Sequence, residues 1–213
     1  MVRLTRSAAL WQSKNRGRVT RFTRMERFWW GSMLEGHPLR KLFADLTRET
    51  FYRQLHHYDS EVAAYLVDLL VGFTHVENLY KIRDAAGRRL EDVGEMLIES
   101  NPLLGAASFD REREVRKHVG DYTLFFTGLF PEHLKRPRRS LSLDYFVDYV
   151  KAGKESYRIV SKFDQFEYRR VAPLFRRLAE NFELCVYGLN RVRDQLRRME
   201  NSDYRRVERT LIT

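Results

Sequence analysis

Cysteine, proline and glycine are scarce in this chain, which has one cysteine, five prolines and eleven glycines among 213 residues. A single cysteine excludes a disulfide within the chain and zinc sites that need two or more thiolates. Such cysteine usage is typical of a reducing compartment, so we expect a cytoplasmic protein. The few prolines and glycines also leave little room for long loops.

Long apolar runs and several familiar active-site motifs are absent as well. No run approaches the roughly 18–20 apolar residues that cross a bilayer, and the first residues lack the continuous apolar segment of a secretory signal. The sequence contains no glycine-rich phosphate-binding loop, no dinucleotide-binding fingerprint and no G-x-S-x-G motif. We therefore expect no transmembrane span and no cofactor, and we favour a non-enzymatic protein while leaving catalysis open.

Helical periodicity dominates from about residue 39 onward. Apolar residues alternate at spacings of four and three over residues 62–80, 115–129, 146–160 and 171–199, as in helices that face partner helices. A further helix is predicted over residues 39–57 and a weaker one over residues 90–100, and no stretch has a convincing two-residue alternation. The pattern predicts an all-α fold, an antiparallel four-helix bundle with additional packed helices and a basic N-terminal arm.

Residues that begin or end helices support these boundaries. Asp59 or Ser60 can cap the first long segment, and Ser108 or Asp110 can cap the second. Pro131 ends the second segment, because proline lacks an amide hydrogen and clashes with the preceding turn. The short connections that follow predict antiparallel neighbours.

Positive charge is concentrated at the N-terminus. The chain has a net charge of +10, but residues 1–30 hold eight basic side chains against Glu26 alone, which gives this segment a charge of +7. Most of the basicity therefore belongs to a terminal segment. We predict two parts, a basic aromatic arm over residues 1–35 and a helical domain over residues 36–213.

The arm is the main candidate for partner binding. If residues 19–30 are helical, most apolar and arginine side chains separate onto different sides, and arginine and tryptophan are enriched at the energetic centres of interfaces. The favoured partner is another protein, a second copy of the chain or the helical bundle itself. Sequence-tolerant binding of nucleic acid and docking on an anionic membrane surface are alternatives. The candidate residues are Arg18, Arg21, Arg24, Arg27, Phe28, Trp29 and Trp30.

A second basic cluster lies in the sequence KRPRRS. It can extend an anion-binding footprint, or it can be a solvated turn. The candidate residues are Lys135, Arg136, Arg138 and Arg139.

The best candidate for a metal or small-ligand site is the set Glu114, His118 and Asp121. Glu114 and His118 are four residues apart and share one face of a helix, and Asp121 lies three residues beyond. The Glu-x-x-His motif of di-iron bundles is absent. The alternative is a partly buried histidine that bonds to a nearby acid.

Glycines interrupt the four long segments at Gly72, Gly120, Gly153 and Gly188. They indicate either room for a flat ligand or a close approach of helices against bulky neighbours. The only cysteine, Cys185, falls at a core position, where it behaves as a small apolar residue.

Three stretches of the chain, FTHVENLYKIRDAAGRRLEDVGEML, HVGDYTLFFTGLFPE and FELCVYGLNRVR, resemble a bacterial all-helical protein family without an assigned activity. The resemblance covers about residues 40–199 and leaves the basic arm outside. It implies a helical fold and a bacterial cytoplasm, and it implies no catalytic residues.

Overall fold

The computed structural model describes residues 37–132, 134, 143–199 and 202–212. Within these residues, all regular structure is helical apart from one isolated antiparallel bridge between Arg83 and Arg89. The all-α prediction is confirmed. The helices belong to one unit that begins at Pro38. They are α1 (Pro38–Arg48), α2 (Ser60–Gly72), α3 (Val76–Leu79), α4 (Val93–Glu99), α5 (Phe109–Leu129), α6 (Leu143–Val160), α7 (Ala172–Glu180), α8 (Phe182–Arg198) and α9 (Ser202–Ile212).

The predicted caps lie where two of these helices begin. The Asp59 side chain accepts hydrogen bonds from the amides of Glu61 and Val62 at the start of α2, at 3.1 and 3.0 Å. The Ser108 hydroxyl accepts one from the amide of Arg111 at the start of α5, at 3.1 Å. These bonds satisfy amides that have no partner inside the helix, which is why short polar side chains favour this position.

The helix predicted over residues 39–57 has two geometries. α1 continues into a π-helical turn, Glu49–Gln54, in which the amide of Leu55 donates to the carbonyl of Thr50 at 3.0 Å. The wider turn places Phe51 in the core, where its ring contacts Gly188.

The segment predicted as one helix over residues 171–199 is two helices. α7 and α8 meet at Asn181, whose φ and ψ of −107° and 23° leave the helical range. The Asn181 side chain donates to the carbonyl of Arg177 at 2.9 Å. Asparagine favours helix breaks because its amide competes for backbone groups in this way, a local effect that the uninterrupted apolar spacing does not reveal.

Helix α5 is enclosed by the rest of the helical domain. Every residue from His118 to Phe130 is buried. The ring of Phe73, just after α2, lies 5.1 Å from that of Phe125, and the ring of Tyr204 on α9 stacks 6.3 Å from that of Phe130. The Tyr122 hydroxyl donates to the carbonyl of Glu91 at 3.4 Å. The second half of α5 therefore has no solvent-facing side.

Three of the four predicted glycines lie at close helix contacts. A β-carbon on Gly120 would clash with the ring of Tyr157, one on Gly153 with Thr123 and Phe182, and one on Gly188 with Phe51. The space beside these glycines is filled by side chains of this chain, as the interpretation of close helix approach requires. Gly72 differs, because it is the last residue of α2 and interrupts no helix.

The contacts also give the directions of neighbouring helices. Gly120 of α5 faces Tyr157 of α6, and Thr123 faces Gly153, so α5 and α6 are antiparallel. α2 and α7 are neighbours, because Arg177 of α7 bonds to Asp59 at the start of α2 and the ring of Phe175 contacts that of Tyr65.

Candidate functional site

The sequence-predicted arm and basic loop lie outside the described residues. This applies to the seven arm residues Arg18, Arg21, Arg24, Arg27, Phe28, Trp29 and Trp30, and to the loop residues Lys135, Arg136, Arg138 and Arg139. The partner-binding and anion-binding predictions therefore stay predictions. Two features of the helical domain are described below, a buried polar network and an exposed apolar surface.

The buried network centres on the carboxylate of Asp121 in α5. Tyr65 of α2 and Tyr157 of α6 both donate their hydroxyl hydrogens to Oδ1, at 2.5 and 2.8 Å. The Lys117 ammonium group donates to Oδ2 at 2.7 Å, one helical turn away. The side chain of Asp121 is 6% exposed and that of Lys117 is 31% exposed. One carboxylate thus ties three helices together.

The network holds charges in fixed states. Burial alone would raise the pKa of Asp121, but the positive charge of Lys117 and the hydrogen bonds from Lys117, Tyr65 and Tyr157 outweigh it and lower that pKa. Burial alone would lower the pKa of Lys117, but the charge of Asp121 raises it. Burial and the charge of Asp121 together raise the pKa values of Tyr65 and Tyr157.

No member of this network titrates near neutral pH. The carboxylate stays ionised, the ammonium group stays charged and both phenols stay protonated, whereas a general acid or base works best with a pKa close to the working pH. In this arrangement the network is suited to fixing the relative positions of α2, α5 and α6 and not to proton transfer. Tyr65 and Tyr157 were missed from the sequence, because they lie 56 and 36 residues from Asp121 and carry no local motif.

The predicted metal ligands have other partners. The exposed Glu114 accepts from Arg111 at 3.1 Å, and both oxygens of Asp121 serve the network. His118 is buried and donates from Nε2 to the carbonyl of Leu79, with 2.9 Å between the two atoms. Among the described residues, no group of three or more His, Cys, Asp or Glu side chains is placed to hold a metal ion. The geometry gives the predicted metal site no support.

His118 is buried, as the alternative to a metal site expects, but its partner is the backbone carbonyl of Leu79 and not a nearby acid. Burial, helped by the charge of Lys81, lowers the pKa of His118 to about 3. The ring is therefore neutral near neutral pH and lies against Phe73 and Tyr122. Its Nδ1 atom has no hydrogen-bond partner within the described part of the chain.

Cys185 is buried in α8, as its core position predicts. Burial raises the pKa of the thiol to about 12, and the charges of Asp59 and Glu183 act in the same direction. Because the thiolate is the reactive form, this side chain is inert in the folded protein.

An exposed apolar surface occupies the connection from α4 to α5. Leu103 is 91% exposed and Leu104 is 70% exposed, and Ile98 and Phe109 each expose more than half of their side chains. Single exposed apolar residues are ordinary, whereas large contiguous apolar patches mark interaction sites, and these four residues lie within twelve positions of the chain. We call these four residues the 98–109 surface.

The connection that carries the 98–109 surface is closed by polar bonds. The carbonyl of Asn101 accepts from the amides of Leu104 and Gly105, at 3.0 and 2.9 Å, and its side chain accepts from the amide of Leu103 at 2.9 Å. Arg111 donates twice to Glu99, at 3.1 and 3.0 Å, which joins the end of α4 to the first turn of α5. The leucines are therefore presented by a turn with fixed hydrogen bonds.

Phe166 exposes a further aromatic ring in the element beside the first turn of α5. It begins a short 3₁₀ helix, Phe166–Arg170, and is 84% exposed with a φ of +52°. That φ is strained for a bulky side chain. The element is anchored by Tyr168, whose hydroxyl donates to Asp110 at 2.9 Å and whose ring lies 3.8 Å from the Arg113 guanidinium.

Comparison with known proteins gives this chain no relative. No protein-family model, curated protein or solved structure matches it. The resemblance to a bacterial helical family therefore stays a prediction. In the described part of the chain, no helix combines the length and the apolar character needed to cross a bilayer.

Proposed function

We propose that this chain is a non-enzymatic interaction or assembly protein, in which the helical domain supports two contact regions. The first is the basic aromatic arm with Arg21, Arg24, Arg27, Trp29 and Trp30. The second is the 98–109 surface. The observation that carries the proposal is the exposure of two adjacent leucines, Leu103 and Leu104, in a turn that is closed by its own hydrogen bonds.

The domain suits a supporting role because the candidate reactive groups inside it are held by hydrogen-bond partners or by burial. The Asp121 carboxylate accepts hydrogen bonds from donors on two other helices and from Lys117. Cys185 is buried with a raised pKa, and His118 is buried and neutral. Rigid support lowers the entropy lost when a contact surface binds, so it favours affinity.

We propose the antiparallel four-helix bundle as the framework of this domain. α2, α5 and α6 form three of its rods, and α7 and α8 together form the fourth, broken at Asn181. The antiparallel pair α5–α6 and the contacts between α2 and α7 support this arrangement. α1, α3, α4 and α9 are then the additional helices. Leu79 of α3 and Tyr204 of α9 contact residues 118–130 and help to cover them.

The experiment compares the full chain with a variant carrying Arg21→Glu, Arg24→Glu and Arg27→Glu. Sedimentation reports self-association, and binding is measured to anionic phosphatidylserine vesicles and to a single-stranded oligonucleotide. We expect the variant to keep the far-UV circular dichroism of the parent and to lose association. Vesicle or oligonucleotide binding that falls steeply with added salt would assign the arm to an anionic surface instead of a protein.

A chain that is monomeric and binds neither probe would contradict the proposal. Elemental analysis and an absorption spectrum of the purified full chain provide a second test. A metal ion or chromophore at near-stoichiometric level would favour the ligand-binding alternative.

A further inference from the structure

The 98–109 surface lies in the most acidic part of the helical domain. Residues 91–114 carry seven acidic side chains and two arginines. If the preceding turn is added, residues 83–114 still hold eight acids against five arginines, in a chain whose net charge is +10. Glu91, Asp92, Asp110 and Glu114 are exposed. The apolar side chains are thus surrounded in sequence by negative charge.

Several of these acids already have partners, which sets how much charge is available. Arg111 pairs with Glu99 and Glu114, and Arg88 pairs with Glu95 at 2.9 Å. Glu112, in the first turn of α5, has a neighbouring charge in Arg116. When Arg116 is included, residues 83–116 hold eight acids and six arginines, and the next cation, Lys117, pairs with Asp121. This stretch therefore keeps a net negative charge.

A segment with the opposite chemistry is present in the same chain. Residues 16–30, RGRVTRFTRMERFWW, combine five arginines and one glutamate with Phe22, Met25, Phe28, Trp29 and Trp30. Aromatic side chains can cover exposed leucines, and guanidinium groups pair well with carboxylates.

We infer that the 98–109 surface is the docking site for residues 16–30 of a second copy of this chain. The inference rests on the proposed function and names its partner. The two contact regions differ, so the contact is heterologous, and each copy offers one arm and one surface. Such contacts close into a ring or continue as an open chain of copies.

The test uses two full-length variants with complementary defects. The arm variant carries Arg21→Glu, Arg24→Glu and Arg27→Glu and keeps the surface. The surface variant carries Leu103→Lys and Leu104→Lys and keeps the arm. Because both leucines are exposed, the surface variant should retain the urea midpoint of the parent. The matched control is Tyr187→Lys, which changes a side chain on α8 that is 55% exposed.

We expect the parent chain and the Tyr187→Lys control to self-associate alike in sedimentation velocity. In each variant the dissociation constant for self-association should rise by at least about 30-fold, as for the loss of an interface centre. An equimolar mixture of the two variants should form 1:1 pairs and nothing larger, because only one competent arm and one competent surface remain in each pair.

Three results would overturn the inference: a monomeric parent, a variant that associates as the parent does, or a mixture that stays monomeric. Its failure is distinguishable from that of the proposed function. If the parent is monomeric but the arm substitutions abolish binding to anionic vesicles, the second-copy partner is wrong and the interaction role stands. If the arm substitutions change neither measurement, both are wrong.

Discussion

Replacing Asp121, even by a side chain of the same size, should lower the stability of the helical domain substantially. Asp121→Asn keeps the shape of the side chain but removes the charge and turns an amide donor toward Lys117. We expect the free energy of unfolding to fall by about 3 kcal/mol, as for one partner removed from a buried ion pair. Urea denaturation measures the change.

The control for that substitution is Asp68→Asn. Asp68 pairs with Arg40 at 2.6 Å, but their side chains are 45% and 31% exposed, so the loss should stay under about 1 kcal/mol. The double variant Asp121→Asn with Lys117→Met should recover part of the loss because it removes the unpaired cation. Equal losses at Asp121 and Asp68 would show that the network contributes little.

His118 should give the domain a defined sensitivity to acid. Its pKa falls from an ordinary value of 6.5 to about 3 on folding, so the unfolded chain binds a proton that the folded chain refuses. The stability that comes from keeping His118 neutral is fully present above about pH 6.5 and is lost as the pH falls toward 3. In this range the free energy of unfolding falls by up to about 1.4 kcal/mol per pH unit.

The test is to compare the parent with His118→Gln in urea denaturation between pH 6.5 and 5. Most carboxylates titrate below this window. The parent should lose stability on acidification and the variant should lose much less. Parallel curves would mean that His118 is protonated equally well in the folded and unfolded states.

Cys185 should react with thiol reagents only when the protein opens. Burial raises its pKa to about 12, and the thiolate needed for reaction is inaccessible. We expect modification by 5,5′-dithiobis(2-nitrobenzoic acid) to be at least about 1,000-fold slower in the native chain than in urea. Rapid labelling of the native chain would show that α8 opens locally.

Single residues also show what the sequence could and could not predict. The core position of Cys185 follows from apolar spacing alone. The metal hypothesis for Glu114, His118 and Asp121 used correct helical spacing, but spacing does not reveal that two of the donors to Asp121 come from α2 and α6. Such long-range partners depend on how helices pack, and one sequence contains no direct record of that.

Close helix contacts lead to a prediction for α6. Gly153→Ala improves helix propensity by about 1 kcal/mol, but the added methyl group would clash with Thr123 and Phe182. We expect a net loss of about 1–3 kcal/mol in the free energy of unfolding, as for overpacked cores. The measurement is a urea titration.

The control for crowding is the double variant Gly153→Ala with Phe182→Leu. If the clash is the cause, the second substitution should cost less in the Gly153→Ala background than alone, because it makes room for the methyl group. If the losses of the two single substitutions simply add in the double variant, the clash with Phe182 is not the cause of the loss at Gly153.

At the scale of elements, helix starts were easier to predict than helix breaks. Asp59 and Ser108 cap α2 and α5 as expected, because capping depends on a few neighbouring residues. The break at Asn181 and the π-helical turn at Glu49–Gln54 were missed, because apolar spacing continues across both. Local backbone bonding and the packing of Phe51 decide these places.

Across the whole chain, positive charge is concentrated in the N-terminal arm, whereas the residues around the 98–109 surface are mainly acidic. If these regions attract one another, self-association should weaken as salt screens the charges. We expect the dissociation constant to rise about tenfold between 50 and 500 mM sodium chloride, measured by sedimentation. Association that strengthens with salt would indicate apolar contact alone.

The enclosure of α5 has a consequence for how the chain acquires its shape. Residues 118–130 have no solvent-exposed side, so this stretch cannot form a stable soluble helix before the neighbouring helices pack against it. One of the residues that cover it, Tyr204, lies near the far end of the chain. A polypeptide that stops before α8 would leave the apolar side chains of α5 exposed to water and should aggregate. In the full chain, the amide hydrogens of Val119–Leu129 should be among the last to exchange with deuterium.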